Sequence, residues 1–447
     1  MTRALSLMIA GCLSAGAFVG TARGADLMAV YRDALAYDAQ YASARAALEA
    51  GREKLPQGRA GLLPTAGLSA NTNWNRQVTD VRSEPPASAS LQYNTSGWTV
   101  SLSQPLFRWQ NWVAYTQSEL AVAQAEAQFG LARQELIVRA AQAYFDVLLA
   151  QDTLAVAQGQ KVAIAEQLES AKRNFEVGTA TITDSQEAQA RYDLTTAQEI
   201  AADNDLIVKR QVLRSVIGKE PEGLKNLRIG VQLARPQPDD IGKWVEMAES
   251  ASASVQIYQA LYEIAVREVE KQRAGHYPTL DLVATRSRSS ATSSYVLGAV
   301  RPGSDTDING IGLQLTIPIF AGGAVASRDR EAVALKDKAA SDLENARRTA
   351  ALNARQAYLG VTSGLAQVKA YEAALTSSQS ALDSNKLGYD VGVRINIDVL
   401  NAQSQLYDTR QKLAKARLDT LAALLKLKAA AGSLGEDDVA AVNALLD

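Results

Sequence analysis

The sequence predicts a mainly α-helical chain that also carries strands for a membrane β-barrel. Three observations predict it: a domain-sized internal repeat, the placement of proline, and short runs of period-two hydrophobicity. FEVGTATITD at 175–184 and YDVGVRINID at 389–398 each interrupt helix-forming sequence, 214 positions apart. At the same spacing, RAGLLPTAGLSA (59–70) matches RAGHYPTLDLVA (273–284) at seven of twelve positions. AQAYFDV (141–147) lies over RQAYLGV (355–361), Gly218 over Gly432, and LSQPLF (102–107) over LTIPIF (315–320), one position out of step. The period is too long for a solenoid, so the chain is a duplicated, domain-sized unit. The first repeat covers 25–218, a linker 219–242, the second repeat 243–432, and a tail 433–447.

Proline locates the helices. None occurs between Pro105 and Pro221, and none follows Pro318. Both stretches are rich in Ala, Leu, Gln, Glu, Arg and Lys, the strong helix formers. Long helices are expected over about 110–176 and 324–390. At 1.5 Å per residue each is about 100 Å long, a length typical of coiled coils. Their abundant Ala lets neighbouring helices approach closely. Half-length helices are expected over about 27–59 and 183–217, and over about 243–273 and 397–431. Pro56 is a flaw in the first of these; Gly218 and Gly432 end the second of each pair. Two half-length helices stacked end to end match one long helix in each unit.

Strands fill the space between the first short helix and the long one. Trp98, Val100 and Leu102 alternate with Thr99, Ser101 and Ser103. Ile311, Leu313, Leu315, Ile317 and Ile319 alternate with Gly312, Gln314, Thr316 and Pro318. This is period two with one apolar face. Two less regular strands lie near 63–76 and 277–290, so the strand regions run over about 63–107 and 277–320. Four strands cannot close a membrane barrel, which begins at eight. Identical subunits favour closed rings, and two copies would give eight strands, three copies twelve.

Composition narrows the function. Lys plus Arg is 46 and Asp plus Glu is 48, a net charge of -2 that argues against a nucleic-acid surface. One Cys and one His leave no disulfide, no zinc set and no His-based triad beyond His276, which reads as a surface histidine. No phosphate loop is present, so energy must come from a partner, and no enzyme activity or cofactor is expected. Arg3, the apolar run from Ala4 to Gly20, and Ala22-x-Gly24 read as a signal peptide over 1–24. Ile9-Ala10-Gly11-Cys12 also resembles a lipoprotein box. Beyond residue 25 no apolar run is long enough for a transmembrane helix, so insertion requires a closed barrel.

The Pro-bracketed strands, the AYFDVL and QAYLGV segments and the paired Val-Gly turns resemble the TolC family of outer-membrane efflux and secretion channels. The resemblance covers the whole mature chain. It implies a homotrimer whose twelve-stranded barrel in outer-membrane lipid continues into an α-helical tunnel across the periplasm. It implies a periplasmic adaptor and an inner-membrane transporter, ABC-type or proton-driven, as partners. It makes residues 219–242 and 433–447 an equatorial belt. It puts the two helix interruptions at the periplasmic entrance, where Tyr389 and Arg394 of one repeat hold Thr183 and Asp184 of the other. It assigns Asp398 to a constriction ring, with Asn401 where relatives carry a second Asp. It assigns Val177, Gly178, Thr179, Val391, Gly392 and Val393 to adaptor docking. The competing function is a soluble periplasmic coiled-coil adaptor, which would not need the apolar strand face. Cargo stays open between secreted proteins and small toxic compounds.

Overall fold

The computed structural model describes residues 25–447 except 83, 85, 86, 222, 229, 297 and 298; the expected signal peptide and Cys12 lie outside the described residues. Two long helices dominate: α4 (Trp109–Glu176) and α8 (Ala324–Asp390), of 68 and 67 residues. Each doubles back through a tight turn into a shorter helix, α5 (Ile182–Ile217) and α9 (Asn396–Ala430). The helices flanking the strands are α1 (Leu27–Tyr37), α2 (Ala39–Arg52) and α3 (Lys54–Ala60) in the first repeat, and α6 (Ile241–Ala251) and α7 (Ala253–Arg273) in the second. A last helix, α10 (Glu436–Asn443), ends the chain. Among the described residues no helix is long and apolar enough to cross a membrane.

The expected single helices over 27–59 and 243–273 are divided. The breaks fall at Asp38 and Ser252, which occupy equivalent places in the two repeats. Both residues have extended backbones, and their side chains accept from the amides of Tyr41 and Val255, so each caps the next helix. A short polar side chain that satisfies an orphan helix donor makes such a break inexpensive. Asp38 also receives Arg139 of α4 at 2.8 Å. Pro56 divides the first helix again at Glu53, because its ring cannot pass the carbonyl four residues earlier.

The strands form one antiparallel sheet in the order β1 (Thr65–Val81), β2 (Ala87–Phe107), β3 (Thr279–Ala291) and β6 (Ser304–Thr316). A small hairpin of β4 (Ser294–Val296) and β5 (Ala299–Arg301) lies between β3 and β6. Register fixes the faces, since directly opposed residues share one. Leu102 faces Ala66 on one side and Ala284 on the other, and Ala284 faces Ile311. Val100, Trp98, Leu313 and Leu315 share that face and stay exposed. The opposite face carries Ser101, Thr99, Thr285, Ser287, Gly310 and Gly312. At the foot of the sheet, Arg108 grips Asp281 through two bonds of 2.8 and 2.6 Å. The guanidinium fork matches the carboxylate, and the pair ties the start of α4 to β3.

The main core sits halfway along α4. Leu136, Ile137, Tyr144, Phe145 and Leu148 pack against Tyr31 of α1, Leu213 of α5, Leu425 of α9 and Val442 of α10. Small residues make the closeness possible: Ala140, Ala141, Ala143 and Ala150 on α4, and Ala346, Ala350, Ala351 and Ala354 on α8, are all buried. The linker and tail meet there. Leu224 bridges Ala25, Leu227 bridges Leu446, and Asn443 bonds Asp26. Tyr144 is the common anchor, its fully buried hydroxyl donating to the Lys225 carbonyl at 2.7 Å. Burial pushes that phenol well above the ordinary tyrosine range, with the nearby Asp26 acting in the same direction, so it stays a neutral donor. Tyr144→Phe strands the Lys225 carbonyl and should cost about 1 kcal/mol; Tyr144→Ala should cost about 3–5 kcal/mol through the cavity. Thermal unfolding of the detergent-solubilised protein checks both, and equal midpoints for the parent and Tyr144→Phe would remove the anchor role.

Candidate functional site at the helix tips

Both long helices end in the same turn. After α4, the amide of Thr179 bonds the Asn174 carbonyl at 2.8 Å and Gly178 takes φ +79°. After α8, the amide of Val393 bonds the Gly388 carbonyl at 2.9 Å and Gly392 takes φ +79°. This six-to-one bond with a left-handed glycine is the Schellman stop, which satisfies carbonyls the helix leaves orphaned. VG at 177–178 and 391–392 is therefore a backbone requirement met twice. No atom lies within 4 Å of where a Cβ would stand on either glycine, so each faces open space. Val177, Val391 and Val393 are exposed beside them.

The short helices start differently. Thr181 caps α5 in a full capping box: its hydroxyl accepts from the Asp184 amide, while Asp184 Oδ2 accepts from the Thr181 amide and hydroxyl at 2.9 and 2.8 Å. The equivalent residue on α9 is Ile395, which offers no side-chain cap. Asp398, one turn into α9, instead pairs with Arg394 at 3.5 Å.

The expected gate residues thus come to one place with different partners inside this chain. Asp184, Tyr389 and Arg394 line a single polar groove between the tips, floored by Asn174 and Asn396. Tyr389 receives Asn174 at 3.1 Å, Arg394 holds Asp398, and Asp184 serves its own helix. Thr183 is exposed in the first turn of α5. Asn401 accepts from Arg191 of α5 at 2.9 Å. Asn396 is 1% exposed and joins three helices: its Oδ1 accepts from Gln167 of α4 at 2.5 Å, and its Nδ2 donates to the Asp184 carbonyl of α5 at 3.3 Å. Thr181 carries a local signal, the Thr-x-x-Asp capping box, whereas Asn174, Arg191 and Asn396 escape a reading of motifs. The repeat itself carries their signal, since Thr181 lies over Ile395 and Asn396 over Ile182.

The sequence profile of the outer membrane efflux protein family matches residues 30–219 and again 244–433. The chain belongs to the outer membrane efflux protein family. It is 31% identical to the outer membrane protein TolC of Escherichia coli over 99% of this chain and 89% of that protein. It is 32% identical to the alkaline protease secretion protein AprF of Pseudomonas aeruginosa, over 93% and 86%. Its fold is similar to the outer membrane protein VceC of Vibrio cholerae, with a TM-score of 0.75 at 19% identity, covering 91% of this chain and 96% of that one. This efflux protein is thus a non-enzymatic outer-membrane channel.

A side chain at either tip glycine meets open space but must adopt a positive φ. Gly178→Ala should cost about 1 kcal/mol of local strain and leave export intact, because the methyl reaches nothing. Gly178→Trp adds the same strain plus a large projection from the tip. Export assays on cells whose outer membranes hold equal amounts of each variant separate the two. Loss only in Gly178→Trp marks a contact surface, and equal loss in both marks a purely conformational requirement.

Proposed function

We propose that three copies of this chain close a twelve-stranded barrel continuous with a helical tunnel, an exit duct opened at the paired tips by a periplasmic adaptor and an inner-membrane pump. The free edges of β1 and β6 carry this reading, because strand ends in lipid must pair and one chain supplies only four strands. Two secretion features favour polypeptide cargo. The relative AprF is by name a protease secretion protein. The inward-facing strand residues are Ser, Thr, Asn, Gln and Gly in the main, and the one charged group on that face among the described residues, Asp281, is neutralised by Arg108. A neutral bore suits a chain whose charge changes along its length.

Selectivity then resides at the tips. Three Asp398 carboxylates converging on a narrow entrance attract cations, and Arg394 partly offsets each one. The same Arg394 is the donor that reaches Asp184 of a neighbouring chain in the closed entrance, with Tyr389 beside it. An exposed ion pair contributes only about 0–1 kcal/mol, which three copies multiply and a partner can overcome.

Arg394→Ser should raise single-channel conductance in planar bilayers and also raise cation preference, since it frees the entrance and unmasks Asp398. Asp184→Ala should raise conductance without the second effect, and Asp398→Asn should weaken cation preference. Parental conductance in both Arg394→Ser and Asp184→Ala would end the gate assignment.

Asn401→Asp introduces a carboxylate where Arg191 already donates. Block by multivalent cations should therefore stay near the parent's in Asn401→Asp and tighten when Arg191→Ala is added. A tight block in Asn401→Asp alone would show that Arg191 does not shield this position.

A further inference from the structure

We propose that Asn396 is a buried latch that holds the two helical hairpins of the entrance together, a role that rests on the entrance reading above. Three side chain to side chain hydrogen bonds cross between the hairpins at the tips among the described residues. Asn174 to Tyr389 is half-buried, and Arg191 to Asn401 is exposed on the Asn401 side, so water can replace either bond as it breaks. Asn396 is 1% exposed. It floors the groove between the tips, and Leu400, one turn further along α9, belongs to the small apolar cluster of Ile164, Leu168 and Ala188.

Its position gives it leverage. Asn396 is the first residue of α9, Gln167 lies within the last three turns of α4, and Asp184 is in the first turn of α5. One carboxamide thus binds three of the four helices that build the tips, using its acceptor for α4 and its donor for α5. A hairpin cannot swing away without breaking both bonds in a site where water arrives only after the break. Buried amides unpaired in this way cost more than exposed ones, so the latch sets the threshold for separation. The repeat underlines the point: the equivalent position on α5 is Ile182, which is half exposed and makes no such link. The latch also differs in kind from the Arg394 and Asp398 pair. It carries no charge, so it resists salt, whereas the exposed pair is screened.

The test uses the purified full-length protein with Asn396→Leu, Gln167→Ala and the double variant. Leucine suits the apolar wall and removes both bonds; Gln167→Ala, at a half-buried position, removes one bond with little risk to folding. Hydrogen exchange in the second turns of α5 and α9 should quicken about tenfold in Gln167→Ala, the scale of one buried hydrogen bond, and up to about a hundredfold in Asn396→Leu, which removes two. Exchange at the middle of α4 should not change, and neither should the thermal midpoint. Conductance in planar bilayers should rise, and the increase should persist at high salt. The double variant should fall short of the sum of the singles. Unchanged exchange at the tips in Asn396→Leu, or full additivity in the double variant, overturns the latch. Quickened exchange with parental conductance keeps the latch and overturns the entrance reading instead.

Discussion

The free edges of the sheet set the terms for the rest of the molecule. In lipid there is no water to satisfy an unpaired strand, so β1 and β6 must find partners. On the proposed reading the four-stranded sheet meets that demand by joining other copies, and the helices then continue the ring those strands begin. The long helices are consistent with this geometry. They run from the foot of the sheet to the tips, and the Arg108 and Asp281 pair fixes the handover from strand to helix at the start of α4.

The middle of the helices answers a second requirement. A helix of 68 residues packed only along an alanine seam would slide or fray. The linker and tail prevent this by crossing α4 where its large side chains concentrate. Tyr144, Leu224 and Asn443 bring the start, middle and end of the chain to one core, so the two repeats are bound at the waist. The tips lack any comparable core. Their apolar clusters are small, Ile164, Leu168, Ala171, Ala188 and Leu400 in one and Leu382, Val399 and Leu406 in another, and this leaves them as the part of the molecule that can move while the waist and sheet stay fixed.

Much of this was legible in the sequence because it follows from period and punctuation. Alternation located the apolar strand face, proline bounded the long helices, and Val-Gly located the turns. The second long helix begins at Ala324 and ends at Asp390, as expected. The breaks at Asp38 and Ser252 were not legible, since a capping residue inside a helix-forming run gives no periodic signal. The side-chain partners across the tips were hidden for a similar reason. Thr181 takes up Asp184 in a local capping box, whereas Arg191 takes up Asn401 through a contact that depends on helix phase and on how two hairpins lie together. Comparing the repeats with each other comes closest to revealing them, because each partner sits where the other repeat has an apolar residue or none of the same chemistry.

The asymmetry between repeats has a consequence at Arg394. On the proposed reading this one guanidinium has two carboxylates within its sphere: Asp398 in its own helix start, which it holds at 3.5 Å here, and Asp184 across the entrance. The Asp184 contacts with Thr181 both fall on Oδ2, which leaves the geometry of its second oxygen unconstrained by the capping box. An arginine drawn toward Asp184 closes the entrance and exposes Asp398; an arginine drawn back to Asp398 releases the entrance and neutralises the ring. Width and the position of charge at the mouth are then coupled through a single side chain. The bare carboxylate is Asp398, at the constriction, when the mouth is closed, and Asp184, in the groove between the tips, when it is open; the total charge of the entrance is the same in both, and what moves with the arginine is where the negative charge lies.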